Sequence, residues 1–266
     1  MADRYTHGHH ESVLSSHRWR TVENSCAYLV PHLVPGTRVL DVGCGPATIT
    51  IDIARRVAPG PVVGIDAAQD AIDAARQASA DAGVVNLELR VDDVYAIDAP
   101  DEHFDVVHAH QVLQHLSDPV AALAEMRRVC RPGGVVAARD AVYRAMSWYP
   151  LDPLLDRWLD LYCAVAESNR GQPDAGSHLK AWGRAAGFAE VTASASVWCY
   201  SSPAELTWWG GLWADRVSAT QLADQAVGLG IATAEELEAV AEAWRRWATH
   251  PDAWFLVPHG EVLLRG

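Results

Sequence analysis

The sequence predicts an α/β protein built on a doubly wound, mostly parallel sheet of seven strands. Short apolar segments alternate with longer helical patterns between residues 38 and 140, and this alternation is typical of parallel strands joined by crossover helices. A glycine-rich turn follows the first strand, in the segment VLDVGCGPATIT at 39–50. A later segment, FDVVHAH at 104–110, has a continuous apolar middle, as expected of a strand buried on both faces.

The elements of this region follow from their periodicity and from the residues that begin and end them. Asp118 with Pro119 forms a helix start, a capping side chain followed by a first-turn proline, and Pro59 to Pro61 end another helix. The predicted strands are 38–43, 62–66, 86–93, 104–110 and 135–139. The predicted helices are 47–57, 71–82 and 119–131.

The remainder of the chain adds two strands and long helical insertions. A helical pattern covers about 12–33, and the strands 187–200 and 254–264 complete the sheet. Because such insertions commonly cover a site, we interpret them as a helical cap. The predicted segments are an N-terminal lid and helix (1–35), a ligand-binding core (36–143), a cap insertion (144–177), a core helix and sixth strand (178–202), a second helical insertion (203–251) and the final strand (252–266).

Charge and cysteine content restrict the function. The net charge of −13 over 266 residues disfavours nucleic acid and anionic membranes as partners, since both require a basic surface. A small, uncharged or cationic substrate is the better expectation. Five scattered cysteines without a CxxC pair fit a reducing, cytoplasmic location. No apolar run is long enough to span a bilayer, and we expect a monomer or a homodimer.

Polar residues collect where the predicted strands end. In an open α/β sheet, ligands bind outside the carboxyl ends of the strands. Asp66 ends the second strand, where its carboxylate is placed to accept from ribose hydroxyls, although it could also cap the next helix. Asp92 or Asp93 ends the third and is placed to accept from a purine amine, although either could be a plain turn residue. His110 ends the fourth strand, where contact with a ligand competes with a role in the core.

These motifs resemble the class I S-adenosylmethionine-dependent methyltransferases. The matching segments are VLDVGCGPATIT, VVGIDAA, LRVDDV, FDVVHAHQVLQHLSDP and CRPGG, which occur in order over roughly 38–140. The resemblance is greatest to the small-molecule branch that includes the ubiquinone and menaquinone C-methyltransferases. It implies the Rossmann-like methyltransferase fold, S-adenosyl-L-methionine as cofactor and a small, aromatic or polycyclic methyl acceptor at carbon, oxygen or nitrogen.

The resemblance also assigns roles at the cofactor site. The methionine part would lie among Asp41, Gly43 and Gly45. Asp66 would hold the ribose and Asp92 the adenine amine, and residues 109–111 would form the floor beneath the sulfonium. The residues expected to contact the cofactor are Tyr5, Asp41, Gly43, Cys44, Gly45, Asp66, Ala67, Asp92, Asp93, Val94, His110 and Gln111.

Candidate acid–base residues come from the fourth strand and the leader. Histidine titrates near neutrality and can accept a proton from the methyl acceptor, so His110 and His115 are candidates. Two interpretations of the leader stay open: a disordered tail, or a lid in which Tyr5 covers the cofactor and His7 reaches the substrate. The irregular histidine spacing there disfavours a metal site, and we predict none.

Three other functions are weighed against methyl transfer. A dinucleotide site would have a third glycine where Thr48 stands, and a diphosphate would be repelled by Asp41. A cyclisation or rearrangement on the same fold remains an alternative, as does a non-catalytic cofactor-binding protein.

Most of the eleven tryptophans lie beyond residue 147. Trp244 and Trp247 have the spacing of a helix face packed into a core. We expect the others in the two insertions to include residues that line an apolar substrate pocket or an exposed dimer surface. These residues, with one tyrosine, are Trp148, Tyr149, Trp158, Trp208, Trp209 and Trp213.

Overall fold

The computed structural model describes residues 19–266, in which the central feature is a mixed sheet of eight strands. The strands are β1 (Val39–Val42), β2 (Val62–Asp66), β3 (Leu87–Val91), β4 (Phe104–His110), β5 (Cys130–Ala141), β6 (Ser147–Tyr149), β7 (Glu190–Tyr200) and β8 (Trp254–Arg265). The first five are parallel in the order β3-β2-β1-β4-β5, and β8 pairs antiparallel with both β5 and β7. The predicted doubly wound α/β fold is therefore confirmed, with its switch of strand order between β1 and β4.

The sheet has one strand more than the seven predicted. This strand, β6, lies inside the segment that the sequence predicted to be a helical insertion. It pairs with Trp254–Leu256 at the start of β8. β7 occupies the opposite edge of β8 along its whole length, so β6 continues the edge on which β5 lies. β8 is longer than its pairing with β5, and the short strand occupies the edge that β5 leaves open.

Nine α-helices and three short 3₁₀ helices surround the sheet within the described residues. The α-helices are α1 (Val22–Ser25), α2 (Thr48–Val57), α3 (Gln69–Asp81), α4 (Pro119–Val129), α5 (Pro153–Ser168), α6 (Ala175–Ala185), α7 (Pro203–Ala219), α8 (Gln221–Gly228) and α9 (Ala234–Ala248). The 3₁₀ helices are Ala27–His32, Leu113–His115 and Tyr143–Ala145. Across residues 19–266, no helix has the length and apolar composition needed to cross a membrane.

The long helix predicted over 12–33 is wrong for its described part. Thr21 caps α1 through a capping box with Asn24, so the helix begins only at Val22. The backbone leaves the helical region at Cys26, and the chain continues as a 3₁₀ helix that contains Pro31. Proline has no N–H for an α-helical hydrogen bond, which is consistent with the change. Residues 12–18 of the prediction lie outside the described residues.

The two faces of the sheet carry different helices. The first, named the α2 face, is covered by α2 and by the N-terminal segment, whose Val22, Cys26 and Leu29 pack with residues of β1, β2, β4 and β5. The second, the α4 face, is covered by α4 and α6, whose Leu123 and Leu179 pack in another core cluster. The predicted start of α4 is confirmed, because Asp118 accepts from the Ala121 N–H and Pro119 is the first residue.

Helices α5, α7, α8 and α9 form a cap with its own aromatic core. Trp158 makes edge-to-face contacts with Trp213 and Trp244, with ring centroids 4.5 and 4.8 Å apart. The tryptophans at 148, 158, 209, 213, 244 and 247 are all buried, so the prediction for Trp244 and Trp247 is confirmed. Most of the insertion tryptophans are therefore not exposed for a dimer surface, since their rings pack against one another and against Phe255, and Trp208 is half-buried.

The cap lies at the carboxyl edge of the parallel strands. β8 pairs with β5 only through 259–264, while its earlier residues continue past the end of β5. β7 runs antiparallel to β8, so Trp198 and Tyr200 near its end lie at the same edge. Helices α7, α8 and α9 connect these two strand ends, and the cap as a whole packs on them. The fold therefore places an aromatic cover beside the edge where ligands bind in sheets of this type.

Candidate functional site

The carboxyl ends of β1, β2, β3 and β4 bring the predicted site residues to one edge of the sheet. The turn at 43–46 follows β1, Asp66 ends β2, the loop with Asp93 follows β3, and His110 ends β4. Adjacent parallel strands are only about 4.8 Å apart, so these groups border one continuous surface. Tyr5 and His7, the leader residues of the prediction, lie outside the described residues.

The turn after β1 has a backbone that a ligand can approach closely. Gly43 and Gly45 have positive φ angles of 67° and 52°, which glycine adopts without steric cost. A Cβ on Gly43 would also collide with the side chain of Val112. Ala47, with φ of 62°, precedes α2 and directs the helix N-terminus toward the turn. N–H groups at a helix N-terminus favour anionic or polar ligand atoms.

Asp66 connects the end of β2 to this turn. Its carboxylate accepts from the Gly45 N–H and from the Ala68 N–H, each at 3.0 Å. Asp66 is half-buried and Ala67 beside it is exposed, so both can be reached from the edge. A carboxylate oxygen accepts more than one hydrogen bond, which leaves acceptor capacity for hydroxyl groups of a ligand.

Asp92 and Asp93 differ in their surroundings. Asp92 accepts from the Arg90 guanidinium at 3.3 Å and from the Asp98 N–H at 3.1 Å, and its side chain is 8% exposed. Asp93 is exposed and accepts from the Tyr95 N–H at 2.9 Å. The neighbouring Val94 is half-buried. Asp92 therefore maintains the loop, whereas the exposed carboxylate of Asp93 can accept hydrogen bonds from outside the loop.

Asp41 is buried beneath the turn and holds two neighbouring side chains. One carboxylate oxygen lies 2.7 Å from His108 Nδ1, and the other accepts from the Thr50 hydroxyl at 2.5 Å. On its other side, the His108 ring has Nε2 3.3 Å from the sulfur of Cys26. The chain of contacts joins the N-terminal segment, β4, β1 and α2. The Asp41 carboxylate thus acts on a ligand through the structure of the turn.

Cys44 faces the same region but lacks the features of a nucleophile. Burial, together with the carboxylates of Asp41 and Asp66, raises the pKa of its thiol well above the ordinary value. A thiol must be ionised to attack. The role of Cys44 is structural: its N–H donates to the carbonyl of Ile65 at 2.9 Å, which ties the turn to β2.

His110 ends β4 as a buried imidazole beside an aromatic wall. Its ring lies 5.8 Å from that of Trp198 on β7. Neither ring nitrogen has a hydrogen-bond partner among residues 19–266. Burial, and then the nearby charges of Arg139 and Arg20, hold its pKa well below the usual value, so the ring is neutral at physiological pH. A neutral imidazole offers one donor and one acceptor.

Gln111 follows in a left-handed backbone conformation, with φ of 54°. Its side-chain oxygen accepts from the Arg20 guanidinium at 2.7 Å, and its amide nitrogen lies 2.9 Å from Nε2 of His259. The Gln111 N–H donates to the carbonyl of Arg139 at 2.7 Å. These contacts fix the residue between the N-terminal segment and β8, at the entrance to the region above β4.

His115, the second candidate base, is engaged by its neighbours. The Gln114 amide donates to its Nε2 at 3.1 Å. Burial, followed by the charge of Arg20, lowers the pKa of His115 to about 3. The backbone N–H of Gln114 also donates to the buried carboxyl of Asp140 at 3.1 Å. Nε2 of His115 is therefore occupied by the Gln114 amide, whereas both ring nitrogens of His110 lack a partner among residues 19–266.

A row of polar side chains on the α2 face was not predicted from the sequence. Strand register places His110 beside Arg139, and Arg139 beside Glu261. Arg139 Nε is 3.3 Å from a Glu261 oxygen, and the hydroxyls of Ser194 and Ser196 donate to the same carboxylate. The sequence signal that could have indicated this row is the charged Arg139 inside the apolar segment VVAARDA at 135–141. Within residues 19–266, no cluster of side chains has the composition of a metal site.

Comparisons with known proteins agree with this geometry. A family model described as a methyltransferase domain matches residues 33–190. An uncharacterized methyltransferase of Schizosaccharomyces pombe is 32% identical over 98% of this chain and 96% of its own. The ubiquinone/menaquinone biosynthesis C-methyltransferase UbiE of Burkholderia orbicola is 34% identical over 53% of this chain and 63% of its own.

Among solved structures, the (4+2)-cyclase SpnF has the same fold, with a TM-score of 0.52 and 22% identity over 94% of this chain and 80% of its own. The family match covers the turn after β1, the acidic ends of β2 and β3, and the end of β4, which are the elements that form the edge described above. The chain thus belongs to the methyltransferase domain family and is an S-adenosylmethionine-dependent methyltransferase of the class I, Rossmann-like fold.

Proposed function

We propose that the protein methylates a small, aromatic or polycyclic acceptor, at carbon, oxygen or nitrogen, bound between the ends of β4 and β5 and the cap. The observation that carries this proposal is the buried His110 ring, which lies beside Trp198 with two ring nitrogens unpartnered among residues 19–266. An apolar wall with a few convergent polar groups is typical of sites for small organic molecules. The quinone acceptor named for UbiE is an example of this substrate class.

The residues at the edge fit S-adenosylmethionine, which supplies an electrophilic methyl group on a sulfonium. The tight turn at Gly43 and Gly45 suits the methionine part, since their positive φ angles suit glycine and leave no side chain between backbone and ligand. Asp66 has acceptor capacity for ribose hydroxyls. For the adenine amine, the free acceptor capacity favours Asp93 over Asp92, with the Val94 N–H as a donor to the ring. The backbone around Cys44, Ala67 and Gln111 completes the surface.

The protein contributes to the reaction chiefly by alignment. Methyl transfer requires the nucleophile, the methyl carbon and the sulfur to be held in line, and exclusion of water strengthens polar interactions inside the site. Gln111, held by Arg20 and His259, fixes the backbone next to His110. Neutral His110 would accept a proton or hydrogen bond from the acceptor. Tyr5 and His7 stay proposals for residues that cover the site.

The test is turnover with a panel of hydroxylated naphthalenes and quinols, followed by mass spectrometry of S-adenosylhomocysteine and of the methylated product. His110→Ala should lower turnover by about 10²–10⁴-fold, the range for loss of an acid–base residue. His115→Ala should have a smaller effect. The matched control is His178→Ala, because His178 is exposed on α6. Equal turnover in all three variants would remove His110 from the mechanism.

A cyclisation or rearrangement is the second candidate, favoured by the structural likeness to a (4+2)-cyclase. The fold alone does not decide between these reactions. Stoichiometric release of S-adenosylhomocysteine with a methylated product supports transfer. Conversion of an acceptor with S-adenosylmethionine left intact supports the alternative.

A further inference from the structure

Buried polar groups without partners cluster on the α2 face next to His110. Among residues 19–266, no hydrogen bond is made by Arg139 Nη1 and Nη2, by either ring nitrogen of His110, by His259 Nδ1, or by the Tyr28 hydroxyl. Arg139 is fully buried. An unpaired buried donor opposes folding, and a charged one more so. Several such groups in one place therefore indicate a missing polar partner.

Three of these residues, Arg139, His259 and His110, lie around the ring of Trp198. The Arg139 guanidinium carbon lies 4.7 Å from the ring centroid, and the His259 and His110 rings lie 4.4 and 5.8 Å away. The Trp198 Nε1–H donates to the Asn24 carbonyl at 2.6 Å, so the N-terminal segment holds the indole in place. Arg139, His259 and His110, each with an unpaired polar atom among residues 19–266, thus lie around one fixed aromatic ring.

The local charge is positive although the whole chain is acidic. Arg139 uses Nε to contact Glu261, which leaves its two terminal nitrogens for another partner. Arg20 brings a second guanidinium to within 5.5 Å of the Trp198 ring. The nearby Asp140 belongs to the opposite face of the sheet, since neighbouring residues of a strand alternate. Among residues 19–266, the guanidinium groups of Arg139 and Arg20 lie at the Trp198 ring, and the Glu261 carboxylate contacts Arg139.

We propose that Arg139 and His110 bind a carboxylate carried by the methyl acceptor, which makes the acceptor an aromatic acid. The two terminal nitrogens of an arginine match the two oxygens of a carboxylate in distance and direction. Trp198 would stack on the acceptor or on the guanidinium and exclude water. This local arrangement replaces the expectation of an uncharged or cationic substrate that the net charge suggested.

The proposal rests on the proposed function, because it places the acceptor beside His110. The cofactor's own carboxylate offers the same chemistry, so its position must be compared. The glycine turn follows β1, whereas Arg139 lies on β5, two strands away in the sheet. The acceptor is therefore the better source of the carboxylate, and the experiment below separates the two.

The test is isothermal titration of the full-length protein, saturated with S-adenosylhomocysteine, with 2-naphthoate and with its neutral isostere 2-naphthamide at pH 7.5. The wild-type protein should bind the acid at least about tenfold more tightly, as expected for a charge-assisted pair. Arg139→Met alone leaves Glu261 buried without its partner, so the informative variant is Arg139→Met with Glu261→Gln. In that double variant the preference for the acid should be lost.

The control is Arg144→Met, which removes an exposed guanidinium paired with Glu167 and Asp174 and should keep the preference. Equal binding of acid and amide by the wild-type protein, or an unchanged preference in the folded double variant, overturns the proposal. Loss of S-adenosylhomocysteine binding in the double variant also overturns it, because it assigns Arg139 to the cofactor. Binding of 2-naphthoate without methyl transfer to any aromatic acceptor refutes the proposed function and leaves the carboxylate site intact.

Discussion

His108 Nδ1 lies 2.7 Å from an oxygen of Asp41, inside the sheet, with the two side chains 0% and 4% exposed. The contact joins β4 to β1 two residues before Gly43. Burial by itself would lower the pKa of His108, but its contact with Cys26 and the hydrogen bond that it donates to Asp41 outweigh burial and raise the pKa to about 10. The protonated ring and the carboxylate therefore form a buried pair beneath the cofactor turn.

Asp41→Asn should destabilise the protein, because it leaves the buried imidazole without its anionic partner, at a cost of about 1–3 kcal/mol. The folded-state pKa of His108 lies above its ordinary 6.5. The stabilisation by the protonated His108 ring paired with Asp41 is therefore complete below about pH 6.5 and is lost as the pH rises toward 10. Urea denaturation from pH 6 to 10 should show a smaller loss of stability in Asp41→Asn than in the wild type. Asp81→Asn, at an exposed site, is the control, and equal slopes in the three proteins would refute the pair.

Asp66→Ala should weaken binding of S-adenosylhomocysteine. Each hydrogen bond to a charged acceptor contributes about 1.5–3 kcal/mol, so the dissociation constant should rise roughly 10- to 100-fold. Part of the loss comes from the turn, since Asp66 also accepts from the Gly45 N–H. Isothermal titration measures the change, with Asp70→Ala on the exposed side of α3 as control. An unchanged dissociation constant would remove Asp66 from the site.

Asp93 and Asp92 should respond differently to replacement by alanine. Asp93→Ala should weaken S-adenosylhomocysteine binding by about 1–2 kcal/mol with little loss of stability, because its carboxylate is exposed. Asp92→Ala should mainly lower the melting temperature, because it removes the contacts with Arg90 and the Asp98 N–H. Titration and thermal denaturation of both variants test this assignment. The reverse pattern would place the adenine on Asp92, as the family resemblance implies.

Asp140 should make the protein less stable as the pH rises from about 4 to 8. Burial raises its pKa from 3.8 to about 8, against the lowering effect of the Gln114 N–H. The folded state therefore holds a proton that the unfolded state releases in this window, and stability falls with pH. Asp140→Asn should remove this fall, a difference on the order of a few kcal/mol at pH 8. Denaturation curves at pH 4.5, 6 and 8 check it, and parallel curves for the variant and the wild type would contradict it.

Trp158→Ala should disrupt the cap. The side chain is fully buried between Trp213 and Trp244, and loss of a large buried aromatic residue costs about 3–5 kcal/mol. Trp158→Phe should cost less, since it keeps most of the packed volume. Trp208→Ala, at a half-buried site, is the control. Near-ultraviolet circular dichroism with urea denaturation reports the effect. A loss in Trp158→Ala no larger than in Trp208→Ala would show that the ring does not organise the cap.

The fold and the cofactor edge could be predicted from the sequence because their signals are local. A glycine turn such as Gly43 to Gly45, an acid at a strand end such as Asp66, and the helix start at Asp118 and Pro119 are visible in a few consecutive residues. The division of roles between neighbouring acids was not visible, because it depends on which of them contacts Arg90.

The buried polar row was missed because its members are distant in the chain. Cys26 contacts His108 across 82 positions, and Arg139 contacts Glu261 across 122. The register of β4, β5 and β8 brings His110, Arg139 and Glu261 together, and the packing of the N-terminal segment brings Cys26 to His108. The alternation in HAH at 108–110 places both histidines on one face of the sheet, but no sequence pattern identifies their partners. The cap tryptophans were equally ambiguous, since helical spacing is the same for a core as for a pocket wall.

The most direct test of the account is a crystal structure of the protein with S-adenosylhomocysteine bound. We expect the ribose hydroxyls on Asp66, the adenine next to Asp93 and Val94, and the vacant side of the sulfur facing His110 and Trp198 beneath the cap. A nucleoside bound away from the ends of β1 and β2 would contradict the account. So would a sulfur whose vacant side faces away from His110, because the acceptor would then have no access from the cap.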